Sequence, residues 1–127
     1  MTLRISLVVI AISQLVLGLA FLLAPGPFET LLNLTPAAPA WADWLVAMLG
    51  ARFLGYAVGM FVAARDPQRH RAWIATMIGI QAVDWAATMA YVVRGQLTFA
   101  QVGPAAVLPV FFVAALLGWG RDWRRHA

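Results

Sequence analysis

Residues 41–64, WADWLVAMLGARFLGYAVGMFVAA, and residues 72–93, AWIATMIGIQAVDWAATMAYVV, are two long apolar runs separated only by the polar septet 65–71, RDPQRHR. Each run exceeds the roughly 20 residues that a helix needs to cross the ~30 Å hydrocarbon core of a bilayer. Backbone N–H and C=O groups in lipid must bond within their own segment, so such runs are helices. Seven residues leave room for only a tight turn, which makes the pair antiparallel. Working outward, a third run covers Leu3–Leu23 and stops at Ala24-Pro25-Gly26-Pro27; a fourth covers about 104–120 and leads into an Arg-rich tail. The expected fold is therefore all-α. It is one domain over 1–127, with four transmembrane helices at about 3–23, 41–64, 72–93 and 104–120 in an antiparallel bundle. Strand-period alternation is absent, and no membrane β-barrel is expected.

Composition points the same way. Of 127 residues, 63% are hydrophobic and 11% charged, and mean hydropathy is +0.82. A soluble domain carries roughly 25% charged residues, and a disordered chain would invert the balance. There is no cysteine, which removes disulfides, thiolate metal ligands and a cysteine nucleophile. All basic residues are Arg, so no Schiff-base lysine exists. The first run has Arg4 ahead of it but is longer than the ~7–15-residue core of a secretory signal, and no Ala-x-Ala site precedes Pro25; it is expected to be a retained helix.

Arginine sets the expected orientation. Arg4, Arg65, Arg69, Arg71, Arg121, Arg124 and Arg125 fall at one side of such a bundle, and Arg94 alone falls at the other. Positive charge stays cytoplasmic, which puts both termini there. The same residues account for a pI near 11.2 without any nucleic-acid partner, and suit anionic lipid instead. Trp41 and Trp44 are expected at the outer interface, and Trp73, Trp119 and Trp123 at the inner one. In the first outer loop, residues 27–34 begin with Pro, carry Glu29 in the first turn and place Phe28, Leu31, Leu32 and Leu34 largely on one side. This reads as a short interfacial helix, followed by a stiff connector at 36–39.

Two charges fall inside the membrane: Arg52 in the second run and Asp84 in the third. Each costs ~2.5–3.5 kcal/mol at a helix centre, so each needs a partner. Both lie sixteen residues from Gln68, one before and one after. The hairpin register therefore predicts a buried Arg52–Asp84 pair, with Asp43 and Arg94 forming an interfacial pair at the outer end. As a functional element the buried pair is a gate, a proton site or an anion-binding Arg; as a structural element it fixes the hairpin. Gln81, Asp84, Thr88 and Tyr91 recur at three- and four-residue spacing. With Arg52, Tyr56 and Gln14 they form an expected polar seam, which either lines a small hydrated cavity or is interhelical hydrogen-bonding glue. Ala47, Ala51, Gly55, Gly59 and Ala63 make a small-residue stripe centred on Gly55-x-x-x-Gly59 and predict a close-packed helix face.

Catalytic and cofactor chemistry finds little support. His70 lies in the inner loop and His126 in the tail, away from any mid-membrane haem. No helix has paired metal-ligand spacing. The Met residues at 48, 60, 77 and 89 read as apolar filler. Phosphate- and dinucleotide-loop and serine-elbow motifs are missing, and Ser6 and Ser13 have no nearby base. Pro109 is expected to bend or cap the outer part of the fourth helix. No cofactor or metal is predicted.

The segments Gly18-Leu19-Ala20-Phe21-Leu22-Leu23-Ala24-Pro25, Ala51-Arg52-Phe53-Leu54-Gly55 and Ala64-Arg65-Asp66-Pro67 give the chain a topology-level resemblance to small four-helix bacterial membrane proteins, loosely the DoxX-like group. The resemblance implies a bacterial inner membrane location and transfers no catalytic residue. The expected role is a non-enzymatic accessory or structural subunit or scaffold, partnered by the bilayer and by another membrane protein or further copies of itself. The alternatives are a small oligomeric transporter or channel using the Arg52–Asp84 seam, and a lipid- or quinone-binding enzyme or binder. Against the first alternative, the chain lacks the internal repeat common in transporters.

A reporter active only outside the cytoplasm, fused to the C-terminus, is expected to be silent, and a cytoplasm-active reporter at the same place to be active. The reverse pattern would overturn the orientation.

Overall fold

A computed structural model describes residues 3–26 and 40–125, with side chains over 3–26, 42–103 and 105–118. The expected interfacial helix at 27–34 and the connector at 36–39 lie outside the described residues. The regular elements of the described chain are all helices, five in number: α1 Leu3–Leu23, α2 Ala40–Arg65, α3 Arg71–Val93, α4 Phe99–Val102 and α5 Pro104–Arg125. Three helices, α1, α2 and α3, are long and apolar enough to cross a membrane. The apolar part of α5, Ala105–Gly118, is shorter, although the helix itself continues past Gly120, the expected end, to Arg125.

Local chemistry explains where the helices stop. Between α2 and α3 the Asp66 carboxylate accepts the Arg69 backbone N–H at 3.2 Å, and the Asp66 carbonyl lies 2.9 Å from His70 Nδ1. Arg71 donates to the Gln68 side-chain carbonyl, and Pro67 is buried beneath the turn. At the other end of α3, Gly95 adopts φ +73, its N–H donates to Val92 O at 2.9 Å, and the Gln96 N–H reaches back to Tyr91 O at 3.0 Å. This pair of reversed bonds is the Schellman ending, which needs a left-handed residue at that position and so favours glycine. Thr98 then opens α4 with a capping box: its hydroxyl accepts the Gln101 N–H at 3.3 Å while the Gln101 side chain accepts the Thr98 N–H at 2.9 Å. Gly103, at φ +37, separates α4 from α5.

The principal packing is between α1 and α2, along most of their length. In the halves far from the 65–71 turn the two backbones almost touch. A Cβ on Gly50 would lie 2.8 Å from the Gly18 carbonyl oxygen, and one on Gly18 would lie 3.0 Å from the Gly50 oxygen and 2.9 Å from Leu54. Phe21 and Phe53 flank this contact with ring centroids 5.5 Å apart. Toward the 65–71 turn, Leu7, Ile10 and Ala11 of α1 meet Met60, Ala63 and Ala64 of α2, joined by Ile74 and Met77 of α3 and Leu116 of α5. The core therefore sits at the end of the molecule that carries the 65–71 turn.

The second packing unit is α3 with α5. The Trp85 indole N–H donates to the Ala106 carbonyl at 3.1 Å. Ala106 lies in the first turn of α5, where the buried Pro109, lacking an N–H, deprives the neighbouring Ala105 carbonyl of its helical donor. By contrast α2 and α3 meet chiefly near their shared turn, where the Trp73 ring lies directly against Gly59 and leaves no room for a side chain there. Residues 51, 52 and 55 of α2 and 82–87 of α3 are exposed. The two helices do not pack along their lengths.

The small-residue stripe is consequently not one packing face. Ala63 is buried, Gly59 is covered by Trp73, and Ala47 is half-buried, but Ala51 and Gly55 are exposed and a Cβ on Gly55 would meet nothing within 4 Å. The cause is helical phase. A four-residue step overshoots one turn by about 40°, so a stripe of sixteen residues winds through about 160°. The face that meets α1 runs instead through Gly50, Leu54, Ala57, Phe61 and Ala64, at the mixed three- and four-residue spacing that stays on one side.

Gly50→Ala is expected to lower thermal stability in detergent, by about 1–3 kcal/mol as for overpacked cores, because the two nearest atoms it would strike, the Gly18 carbonyl oxygen and the Leu22 nitrogen, are backbone. Gly55→Ala is expected to leave the melting transition unchanged or slightly higher, since the position is open and Ala favours a helix by about 1 kcal/mol over Gly. Equal losses from both substitutions would contradict the packing just described.

Candidate functional site

The chemistry-bearing residues of the chain are the polar and charged side chains inside the long helices. Arg52 is thirteen residues before the end of α2 at Arg65, and Asp84 is thirteen after the start of α3 at Arg71. At 1.5 Å per residue both lie about 20 Å from the turn, well within the spanning segments. Helical phase then places them on particular faces. Arg52 is seven residues from Gly59 and eleven from Ala63, so it shares the α2 stripe that meets α3 near the turn. Asp84 is seven residues from the buried Met77 and eleven from Trp73, so it shares the α3 stripe that meets α2. The two stripes touch near the turn and are open where they carry the charges.

The expected Arg52–Asp84 ion pair is not formed. The Arg52 guanidinium donates to the Met48 carbonyl of its own helix at 3.4 Å, and both Arg52 and Asp84 are exposed. Asp43 and Arg94 are also exposed and are not joined. The reflection about Gln68 places each pair at equal depth but presumes helices lying side by side. Here α2 follows α1, and Trp73 occupies the space between α2 and α3.

The polar seam is likewise divided among separate environments. The Thr88 hydroxyl donates to the Asp84 main-chain carbonyl at 2.8 Å, a local bond that takes it out of any interhelical network. Tyr56 is half-buried and meets Phe53 edge-on, with centroids 6.0 Å apart and planes at 88°. Tyr91 is 50% exposed. Gln81 is buried on α3. Gln14 is buried on α1, at 2% exposure, and its Oε1 has no hydrogen-bond partner. Among the described residues no hydrogen bond links the side chains of Gln14, Arg52, Tyr56, Gln81, Asp84, Thr88 and Tyr91 to one another.

Three features escaped the sequence reading. Trp73, expected as an interfacial anchor, is a packing residue over Gly59, with its Nε1 buried and unpartnered. The Gly18–Gly50 contact carried a signal only as two isolated glycines in neighbouring spans. The Trp85–Ala106 bond carried no signal in the sequence. A groove of about 240 Å³ also opens between α1 and α5, lined by Ser6, Val9, Ile10, Phe111, Phe112 and Ala115. It is almost wholly apolar and contains neither Arg52 nor Asp84, so it does not extend the polar seam. Among the described residues no His, Asp or Glu cluster has the make-up of a metal site.

No protein-family model matches the chain, and no significant similarity relates it to a curated protein or a solved structure.

The orphaned Gln14 oxygen gives a direct check of the α1–α2 interior. A buried acceptor without a donor costs about 1–3 kcal/mol, so Gln14→Met, which conserves length, is expected to melt at or above the parent temperature. A clear fall in melting temperature would reveal a donor on the facing stretch of α2, which the Gly18–Leu54 contact brings level with Gln14.

Proposed function

We propose that this chain is a non-enzymatic integral membrane protein, acting as an accessory or structural subunit or scaffold within a larger membrane assembly. The observation that carries the reading is the exposure of Arg52 and Asp84 halfway along α2 and α3. A mid-bilayer charge facing lipid costs several kcal/mol and is met in practice by a partner or by an aqueous cavity. In this chain neither charge is matched by the other. A surface of another polypeptide laid over this face satisfies both, and small exposed neighbours such as Ala51 and Gly55 let it approach closely.

In this reading α1, α2, α3 and α5 all cross the membrane, both termini are cytoplasmic, and the membrane is the bacterial inner membrane. The short apolar part of α5 is about 21 Å long, a mismatch that Arg side chains relieve by reaching to the interface. An even number of spans also returns the Arg-rich tail to the side of the Arg-rich 65–71 turn, as positive-inside distribution requires. The topology-level resemblance to DoxX-like proteins agrees with this placement, and no redox role is drawn from it.

A photoreactive residue placed at Ala51 or Val83 in native membranes is expected to form a discrete protein crosslink. Crosslinking to lipid alone at both positions would overturn the reading.

A further inference from the structure

We infer that the polypeptide covering the Arg52/Asp84 face is a second copy of this chain, related by a two-fold axis along the membrane normal, with Arg52 of each copy paired to Asp84 of the other. The inference rests on the accessory-subunit reading and specifies its partner.

Depth is the first support. Rotation about an axis along the membrane normal leaves every residue at its own height. A charge in one copy can therefore meet only a charge at equal height in the other. Arg52 and Asp84 satisfy this, thirteen residues from either end of the same turn. Self-complementarity is the second. A two-fold interface brings the same patch onto itself, so residue i meets residue j and j meets i. A patch holding one cation and one anion at one level meets that condition, giving two pairs of opposite sign across the interface.

The faces agree as well. The α1-facing stripe of α2, through Gly50 and Ala57, lies on the opposite side of the helix from Arg52. Trp85, which ties α3 to α5, is one step around the helix from Asp84. Both charges therefore lie on the same open side, between the two packed helix pairs. Their neighbours are compatible with close approach: Ala51 and Gly55 beside Arg52 and Ala87 beside Asp84 are small and exposed, and nothing lies within 4 Å of a Cβ at Gly55. An anionic lipid headgroup is the poorer occupant, because it would neutralise Arg52 while repelling Asp84.

The test uses the full chain in bilayers, with self-association followed by energy transfer between two labels. The parent is expected to dimerise. Arg52→Asp makes a chain with two anions on the face, and Asp84→Arg makes one with two cations. Each alone is expected to dimerise at least tenfold more weakly, and an equal mixture of the two is expected to recover near-parental association, because each heterodimer contains two matched pairs. Gly55→Leu is expected to weaken the dimer at least tenfold without lowering the melting temperature of the monomer. If a charge-reversed chain fails to show native helical content by circular dichroism, Arg52→Gln and Asp84→Asn replace them, with the same tenfold loss expected of each alone. A monomeric parent at all densities overturns the inference. So does a single variant that dimerises like the parent. Recovery by both reversals in one chain but not by mixing two chains also overturns it, and reveals an ion pair within the monomer. If the parent is monomeric while Ala51 or Val83 still crosslinks to a different protein, the two-fold dimer fails and the accessory-subunit reading stands. Crosslinks to lipid alone sink both.

Discussion

The rest of the structure depends on the contact of Gly18 with Gly50. Within a bilayer, apolar side chains gain nothing by leaving lipid for another helix, and association relies on close van der Waals fit. Two glycines at facing positions let the α1 and α2 backbones come within a distance that any Cβ would forbid. Once α2 is held there, its rotation about its own axis is set. Gly50, Leu54, Ala57, Phe61 and Ala64 turn toward α1, and Arg52 is carried to the far side.

That rotation determines what α3 can do. The turn at 65–71 brings α3 back beside α2, and Trp73 meets Gly59 close to the turn. The ring fills the gap beside the turn, and Met60, Ala63, Ile74 and Met77 complete a core there with α1 and α5. Further from the turn α3 packs instead with α5, where the Trp85 indole N–H donates to the Ala106 carbonyl. The outcome is two helix pairs joined at the end that carries the 65–71 turn, with a pair of opposite charges left open between them.

An open cation and anion at equal depth are costly for a chain alone in lipid and useful for one that is assembled with others. Their cost ties exposure to assembly: the face is favourable only when covered. The proposed role as a subunit or scaffold rests on this charge placement rather than on a catalytic constellation, and the proposed second copy, rotated about the membrane normal, would present its own charges at the same height.

The amino-acid sequence alone determined the helical character of the chain and three of its long apolar helices. Length, hydropathy and the need to satisfy backbone groups internally are properties of each segment by itself. Equal depth of Arg52 and Asp84 was also legible, because the tight turn makes depth a matter of counting. Which face meets which helix was not. The stripe at 47, 51, 55, 59 and 63 looked like a packing surface, yet its winding spreads it over Trp73, the interior and open surface. The Arg52–Asp84 pair was inferred from adjacency in the chain, but only the tertiary structure decided that α2 lies along α1 instead. The physical reason is that partner choice among helices depends on where two backbones fit most closely, a property of two surfaces together that neither segment contains alone.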